Sequence, residues 1–406
     1  MSGVARARQV DRLAGARALC EAAIEVDHAL AEMDLKVDWL ARLTPVNIDE
    51  IWEGFRSSGY RSMPDIRYGE GLNRDAPVLR DELFALPLRK IENPLIEALL
   101  LEKQRELDRQ IELVRMRGRE GFTLASTDLF GHVSERLLAM ALDLLDIVPV
   151  LPADELDADA EAMCKAAARA IERYRACSPD FQCEVIVDPI PGTSLYVSKG
   201  NFHVASDYRT SRHRVEPLIA HEVGTHALTR HNGERQPLRT LAGGLADYDD
   251  LQEGLAVLGE YLTGYLPAER LRILAARVIA AHMAVEGRPG PEIYARLVEE
   301  HEITEGDAFD TAVRAKRGGG LTKDALYLKG LAELLAYLSH GGDLEVLFLG
   351  KFALKQLPTL EKLIEDGIVL QPELLPSFCQ GEEAERRLAV ARSAPLTSLY
   401  QERPEA

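Results

Sequence analysis

The sequence predicts an α+β fold that is predominantly helical and contains one small β-sheet. Good helix formers with apolar residues at helical spacing predict helices at 4–33, 93–117, 129–145 and 154–176. Strand signals are confined to one short region, which contains a predicted strand at 183–187 and a predicted hairpin made of 194–198 and 201–206 around Lys199-Gly200. After residue 210 the helical pattern returns, and its later predicted helices are at 267–286, 290–300, 323–338, 343–356 and 358–366.

Two apolar helices are predicted directly after the hairpin. The first carries a helical repeat from Val215 onwards, with Pro217 suited to a first turn and Asn232-Gly233 as a stop signal. The second has an apolar stripe made of Tyr248, Leu251, Leu255, Leu258 and Leu262. Glu253 lies away from the centre of that stripe, as expected for a side chain turned toward a cleft. The loop that contains Gly243-Gly244 is long enough to let the two helices lie side by side.

Composition places the chain among soluble globular proteins. It has 406 residues, of which 46% are hydrophobic and 28% are charged, so it can bury a large core. Its net charge of −18 argues against nucleic acid or an anionic membrane as a principal partner, because both require a basic surface. We therefore expect neither a nucleic-acid partner nor a membrane partner.

Cysteine usage and the amino-terminal segment indicate a cytoplasmic protein. The five cysteines are scattered and include no close C-x-x-C pair, so we expect reduced thiols rather than a disulfide framework or a zinc cluster. Residues 1–17 contain several arginines and lack the hydrophobic segment of a signal peptide. No apolar run is long enough to cross a bilayer.

The two apolar helices carry the side chains of a catalytic metal site. The segment 220–226, AHEVGTH, contains two imidazoles and a carboxylate directly after the first, and 251–256, LQEGLA, adds a further carboxylate. Zinc hydrolases hold the metal with three protein ligands, keep a fourth position for water and place a separate Glu to take the proton of that water. The pattern predicts one Zn²⁺ per chain, with His221, His226 and Glu253 as ligands and Glu222 as the base.

The spacing of the two histidines predicts a local change in helix geometry. In the common H-E-x-x-H motif the histidines are four residues apart, whereas His221 and His226 are five apart. On a regular α-helix five residues turn a side chain through roughly 500°, which leaves the two imidazoles about 140° apart. A π-type turn brings positions i and i+5 back to nearly one face, and Gly224 permits irregular backbone at that point. We therefore predict a break in the helix between the histidines.

The alternative for each of these residues is an ordinary structural role. A single histidine on a helix is usually hydrogen-bonded or exposed, and a single glutamate usually lies on a solvated face. The chain has only 10 histidines, however, and His203, His213, His221, His226 and His231 fall within one short region. This clustering favours a metal site. His231 needs no such role, because a histidine in the last turn of a helix interacts favourably with the helix dipole.

The combination of HEVGTH and QEGLA resembles the family named for its QEGLA motif, a former domain of unknown function that includes the microtubule-associated tyrosine carboxypeptidases. Similar blocks occur at 93–103, Arg117-Gly118, 191–194 and 321–330, so the resemblance covers about residues 30 to 380. It implies a zinc carboxypeptidase with a zincin-like core. In such an enzyme the two motif histidines and the downstream Glu hold zinc, which carries over to His221, His226 and Glu253, with Glu222 as the base.

A carboxypeptidase must recognise a free terminal carboxylate, and a basic loop is the predicted source of that recognition. Arg317 and Lys323 are the preferred candidates and Arg314 is a weaker one, because cations and arginine above all pair with carboxylates. Tyr327 is four residues after Lys323 on the same predicted helix face, where its hydroxyl can stabilise an oxyanion. The alternative is that this basic loop is only solvated surface.

The predicted hairpin is a candidate peptide-binding edge. An extended peptide can add to an exposed strand beside the metal, and 201–206 is the strand expected at that edge, with His203 directed to the cleft. A hairpin that only caps the core is the alternative. The acidic chain also lacks a long basic segment for the very acidic tubulin tail, so the resemblance supports the chemistry more than that substrate.

Together these patterns predict a zinc-dependent metallopeptidase that acts on the carboxyl termini of peptides or proteins, with an aromatic residue or tyrosine as the candidate terminal residue. A non-catalytic metal-binding regulator and a non-haem iron enzyme, which uses the same two-His, one-carboxylate ligand set, are the alternatives. We predict three regions: a mainly helical 1–178 packed on the core, a zincin-like catalytic domain at 179–380, and a tail at 381–406.

Overall fold

The computed structural model describes residues 19–72, 75–189, 195–317 and 322–403. Within these ranges helices predominate and the strands form two small sheets, so the predicted fold class is confirmed. The block at 191–194 and residue 321, the first of the block at 321–330, lie outside the described residues. None of the helices in the described ranges is long and apolar enough to cross a membrane.

The first part of the chain is helical and ends in one long helix before the sheet. Its α-helices are α1 (Glu21–Val37), α2 (Trp39–Arg42), α3 (Ile48–Ser57), α4 (Ala76–Phe84), α5 (Pro94–Met116), α6 (Phe122–Phe130), α7 (Glu135–Ile147) and α8 (Ala160–Cys177). The single helix predicted for 129–145 is wrong. Gly131 has a positive φ of 79° between α6 and α7, and the Ser134 side chain caps the start of α7.

The strands precede the helix that carries the histidines. They are β1 (Ala158–Asp159), β2 (Val185–Asp188), β3 (Leu195–Ser198), β4 (Asn201–Ala205) and β5 (Arg209–Thr210). The hairpin prediction is confirmed, since β3 and β4 pair antiparallel across Lys199-Gly200. The prediction that 201–206 is an edge strand is wrong, because β4 lies between β2, its parallel partner, and β3. The edges of this sheet are β2 and β3, and β3 packs beside the histidine segment.

Helices form the rest of the chain. They are α9 (Arg212–His221), a π-helical turn (Glu222–Ala227), α10 (Leu228–Glu234), α11 (Thr240–Gly243), α12 (Asp249–Thr263), α13 (Ala268–Val285), α14 (Gly290–Glu299), α15 (Glu305–Lys316), α16 (Leu326–Ser339), α17 (Leu357–Glu365) and α18 (Glu382–Ala391). The helix predicted for 343–356 is wrong. Only two short 3₁₀ turns form there, because Lys351 exchanges backbone hydrogen bonds with Leu241 and Leu245 instead of continuing a helix.

Helices α12 and α16 pack in backbone contact. A Cβ atom at Gly330 would lie 1.8 Å from the Asp250 carbonyl oxygen, and one at Gly254 would lie 2.6 Å from the Gly330 carbonyl oxygen. Both distances are far below any real Cβ contact, so both positions require glycine. This close approach brings Glu253 on α12 next to the residues that precede and begin α16.

Buried charges attach the N-terminal helices to the rest of the molecule. The Asp27 carboxylate accepts hydrogen bonds from the backbone N–H groups of Arg239 and Thr240, which begin α11. Lys103 is buried between Asp34 and Glu106 at 3.0 and 2.8 Å. All described regions contribute to one hydrophobic core, for example through Leu30, Leu255 and Ala391. The boundaries at 178 and 380 therefore stay predictions.

Candidate metal site and its surroundings

A π-helical turn separates the two motif histidines, as the five-residue spacing predicts. It spans Glu222–Ala227 between α9 and α10, and it turns both imidazoles to one side, with ring centroids 5.1 Å apart. The Thr225 hydroxyl donates to the Ala220 carbonyl at 3.1 Å, a contact that spans the widened turn. The helix itself begins earlier than predicted, at Arg212, where the Ser211 side chain accepts a hydrogen bond from the His213 N–H.

Gly224 has a different function from the one that the sequence suggested. Its φ is not in the left-handed region, so the backbone of the π-turn does not demand glycine there. The demand comes from packing. A Cβ atom at Gly224 would lie 3.0 Å from the ring of Phe378, which also closes on Gly259 of α12. Gly224 thus makes space for an aromatic ring behind the turn that carries the histidines.

His221, His226 and Glu253 present one ligand atom each toward a common point. Their ligand atoms all lie within 4.8 Å of one another. Glu253 Oε2 is 3.9 Å from His221 Nε2 and 3.7 Å from His226 Nε2. Zinc ligands lie about 2.0–2.2 Å from the ion, so neighbouring ligand atoms of a tetrahedral site are about 3.4 Å apart. The observed spacing is close to that value.

The Glu253 carboxylate supplies a test of whether a cation fits. Its Oε2 atom is buried and accepts no hydrogen bond from any described residue, although it faces two imidazole nitrogens. A buried acceptor of this kind is costly unless a cation or donor satisfies it. Two nitrogens and one carboxylate oxygen form a donor set that suits zinc, so the residues fit the metal that the pattern predicts.

Glu260 orients the first histidine, and sequence reasoning missed it. Its Oε1 lies 2.9 Å from His221 Nδ1, and the side chain is 0% exposed. Arg214 and Arg270 pair with the same carboxylate at 2.7 and 3.2 Å. When Nδ1 donates to Glu260, the lone pair of His221 Nε2 is directed to the ligand cluster, which is the usual arrangement behind a metal-bound histidine. The sequence signal that could have identified Glu260 is its spacing, because Glu260 follows Glu253 by two helical turns.

Glu222 lies beside the ligand cluster and is suited to exchange protons near neutral pH. Its Oε1 is 3.9 Å from His221 Nε2. Burial raises the pKa of Glu222 to about 7, and the charge of Glu253 acts in the same direction. A base is most effective when its pKa is near the working pH. Burial also lowers the pKa of His226 to about 3, which keeps its imidazole neutral and able to bind a metal.

Comparison with known proteins identifies the family. The model of a family described as microtubule-associated tyrosine carboxypeptidase matches residues 53–394. The chain belongs to this family. The mouse protein named microtubule-associated tyrosine carboxypeptidase 1 is 32% identical over 187 residues, which are 43% of this chain and 38% of the mouse protein. The rat protein of the same name is 30% identical over 177 residues, 40% of this chain and 36% of its own. The chain thus matches less than two fifths of each relative.

Two of the basic residues proposed for substrate binding are already ion-paired in this family member. Lys323 is buried, with its Nζ 2.7 Å from Asp249 Oδ1 and 3.4 Å from Glu253 Oε1. It therefore holds the second oxygen of the proposed ligand Glu253. Arg314 forms a two-pronged pair with Asp324, through Nε at 2.9 Å and Nη2 at 2.6 Å. Neither cation is left uncompensated, so their part in carboxylate binding stays a prediction.

Arg317 and Tyr327 have different surroundings. The Nε atom of Arg317 is buried and has no hydrogen-bond partner among the described residues. Tyr327 is surrounded by cations: Arg277 Cζ, Lys323 Nζ and Arg270 Cζ lie 5.0, 5.9 and 6.0 Å from its ring centroid. Burial acts to raise the pKa of Glu253, but the charges of Lys323 and of the two histidines lower it to about 2, and Tyr327 acts in the same direction with a smaller effect. Arg277 on α13 was not predicted from the sequence.

His203 lies away from the ligand cluster in its observed contacts. It sits on the central strand β4, on the face opposite the buried Phe202 and Val204. Its Nδ1 is 3.2 Å from Asp188 Oδ1, and its ring stacks on Tyr196 with a centroid distance of 4.6 Å. No hydrogen bond or ion pair within the described ranges joins His203 to the three proposed ligands. A role in substrate binding stays a prediction.

Proposed function

We propose that the protein is a zinc-dependent carboxypeptidase that removes one residue from the carboxyl terminus of peptides or proteins. The observation that carries this proposal is the buried Oε2 atom of Glu253, which faces His221 Nε2 and His226 Nε2 and has no hydrogen-bond donor among the described residues. Glu222 beside this cluster supplies the base that a hydrolase needs. Family membership supports cleavage at a carboxyl terminus.

Each residue of the site has a defined task in this proposal. Zinc, when held by His221, His226 and Glu253, would polarise the scissile carbonyl and lower the pKa of a water molecule. Glu222 accepts the proton of the attacking water and returns it to the leaving amine. Burial holds the pKa of Glu222 near neutrality, and this pKa suits the proposed proton exchange.

The residues around the ligands keep them in place. Glu260 fixes the orientation of His221 through the Nδ1 hydrogen bond. Lys323 holds Glu253 Oε1, which leaves Oε2 for the metal. Tyr327, whose hydroxyl lies near Glu253, is the proposed donor to the oxyanion that develops on the scissile carbonyl.

The proposal extends to the terminal residue of the substrate and to the cellular compartment. The relatives are named for a tyrosine carboxypeptidase activity, so a terminal tyrosine is the first residue to test. The absence of a disulfide among the described cysteines supports a reducing compartment, and we propose the cytoplasm. No described helix supports a membrane partner.

A peptide library tests the proposed activity. The wild-type protein and Glu222→Gln are incubated with matched peptides that end in a free acid or in an amide, and the products are identified by mass spectrometry. We expect loss of single terminal residues from the free acids. Amidation removes a charge-assisted contact worth roughly 2–5 kcal/mol, so cleavage of the amides falls at least about thirtyfold.

The control variant and metal analysis separate the alternatives. Glu222→Gln is expected to retain the metal and to lose turnover by roughly 10²- to 10⁴-fold, the usual contribution of a general base. Equal internal cleavage of both peptide pools would indicate an endopeptidase. Bound zinc without any cleavage would favour the regulator, and iron in protein purified without added metal would favour the non-haem iron enzyme.

A further inference from the structure

Five cations converge on the region around Tyr327, and three of them are compensated. Arg270 pairs with Glu260, and Lys323 pairs with Asp249 and Glu253. Arg314 pairs with Asp324 in the turn before α16, and Asp310 on α15 also lies within electrostatic range of Arg314 and Arg277. The remaining cations are Arg277 on α13 and Arg317 at the end of α15. Neither forms an ion pair with any residue that the structure describes.

Arg277 and Arg317 are half-buried, and each has an Nε donor without a partner among the described residues. The Nε atoms of both are inaccessible to solvent and make no hydrogen bond within the described ranges. Burial, with the charge of Arg314 next in effect, lowers the pKa of Arg277 to about 10. Burial and Arg314 also lower the pKa of Arg317. An arginine remains charged under these conditions, so this region contains an excess of buried positive charge that an anion would neutralise.

The position of Arg277 relative to the proposed ligands suits a terminal carboxylate. The ring of Tyr327 lies near both Arg277 and Lys323, since its centroid is 5.0 Å from Arg277 Cζ and 5.9 Å from Lys323 Nζ. Lys323 Nζ in turn is 3.4 Å from Glu253 Oε1. In a substrate of a carboxypeptidase, one residue of at most about 3.6 Å separates the scissile carbonyl from the terminal carboxylate. Arg277 and the lysine that contacts Glu253 thus both lie within 5.9 Å of the centre of one aromatic ring.

We propose that Arg277, assisted by Arg317, binds the terminal α-carboxylate of the substrate beside the ring of Tyr327. The planar fork of a guanidinium matches a carboxylate with two parallel hydrogen bonds, and the anion would satisfy the unused donors of both arginines. Lys323 and Arg314, which already have acidic partners, then serve to hold Glu253 and Asp324. This inference rests on the proposed carboxypeptidase function and names the residue that selects for a free carboxyl terminus.

The test is the ratio of kcat/KM for free-acid peptides to kcat/KM for the matched amides. Arg277→Gln removes the charge and keeps a side chain of similar reach. We expect the ratio, at least about thirty in the wild type, to fall to near one, through a higher KM for the free acids and with no change for the amides. Arg317→Gln changes the ratio in the same direction by less. Arg296→Ala, which breaks an exposed ion pair with Glu300, leaves the ratio unchanged.

Two outcomes overturn the inference. A ratio that survives in Arg277→Gln shows that another group binds the carboxylate. An equal loss for free acids and amides shows that Arg277 acts only through the structure. If Arg277→Gln fails to fold, Arg277→Lys retains the charge without the fork and is expected to give an intermediate ratio.

A binding measurement keeps this inference separate from the proposed activity. Glu222→Gln, with and without Arg277→Gln, is titrated with a tyrosine-terminated peptide as free acid or amide by calorimetry. We expect the free acid to bind at least tenfold more tightly, and this preference to disappear in the double variant. If the wild type hydrolyses neither peptide pool, the proposed function fails, and the calorimetric preference still decides the role of Arg277. Equal binding of acid and amide to Glu222→Gln overturns that role.

Discussion

The two sides of the candidate site are incomplete in opposite ways. On the side of the π-turn, Glu253 Oε2 is a buried acceptor that faces two imidazoles and has no donor among the described residues. On the side of Tyr327, the Nε atoms of Arg277 and Arg317 are buried donors that lack an acceptor in the same set. The first side is complementary to a cation and the second to an anion. These opposite deficits are what the proposed zinc site and the proposed carboxylate site require.

The largest expected effect comes from removing the histidines, which breaks the first side. His221→Ala and His226→Ala each remove one of three ligands, so we expect loss of stoichiometric zinc and of at least about 2 kcal/mol of chelator-sensitive stability at saturating metal. Elemental analysis and thermal unfolding with and without a chelator measure both quantities. Glu222→Gln, which keeps all three ligands, is the matched control. Full zinc occupancy in the double histidine variant would refute the ligand assignment.

A smaller effect is expected from the residue behind the first histidine. Glu260→Gln removes the charged acceptor of His221 Nδ1 and leaves Arg214 and Arg270 uncompensated, so zinc affinity is expected to fall about 10- to 100-fold. Competition with a chelator of known affinity gives the change. Glu234→Gln breaks only the ion pair with Arg230 and serves as the control. Unchanged zinc affinity in Glu260→Gln would limit Glu260 to a structural role.

The smallest effect tests the distance between the two sides. Gly330→Ala inserts a methyl group where the Asp250 carbonyl lies 1.8 Å away, which pushes α16 from α12. We expect a loss of about 1–3 kcal/mol in the free energy of unfolding, together with lower activity. Gly306→Ala on α15 meets no atom within 4 Å and is expected to be neutral or slightly stabilising. Denaturant unfolding compares the two, and equal stabilities would contradict the close packing of α12 and α16.

The same contrast explains what the sequence can predict. His221, His226 and Glu253 lie on helices that follow one another in the sequence, so the motif predicted the proposed ligand set and the five-residue spacing predicted the π-turn. Arg277 follows Glu253 by 24 residues and precedes Tyr327 by 50, as the numbering gives. Its place beside Tyr327 depends on how α13 packs against the turn before α16, which no local pattern records. The sequence also does not show which buried cations have acidic partners. Lys323 therefore resembled a cation without a partner.

The sheet shows the same limit. The hairpin of β3 and β4 was predictable because Lys199-Gly200 is a local turn signal. The central position of β4 was not predictable, because no turn residue specifies the pairing of β4 with its parallel partner β2. The 3₁₀ turns at 345–348 and 354–356 likewise depend on hydrogen bonds between Lys351 and distant Leu241.

The π-turn also sets the rotation of everything that follows it. On a regular α-helix one extra residue would turn everything after it by about 100° and shift it by about 1.5 Å, whereas the widened turn brings His226 back to the side of His221. Asn232 on α10 donates to the carbonyl oxygens of Phe348 and Leu374 at 2.7 and 2.8 Å, and these contacts tolerate only one rotation of the helix. The widened turn therefore lets the histidines be five residues apart while α10 keeps the rotation that its contacts with residues 348–374 require.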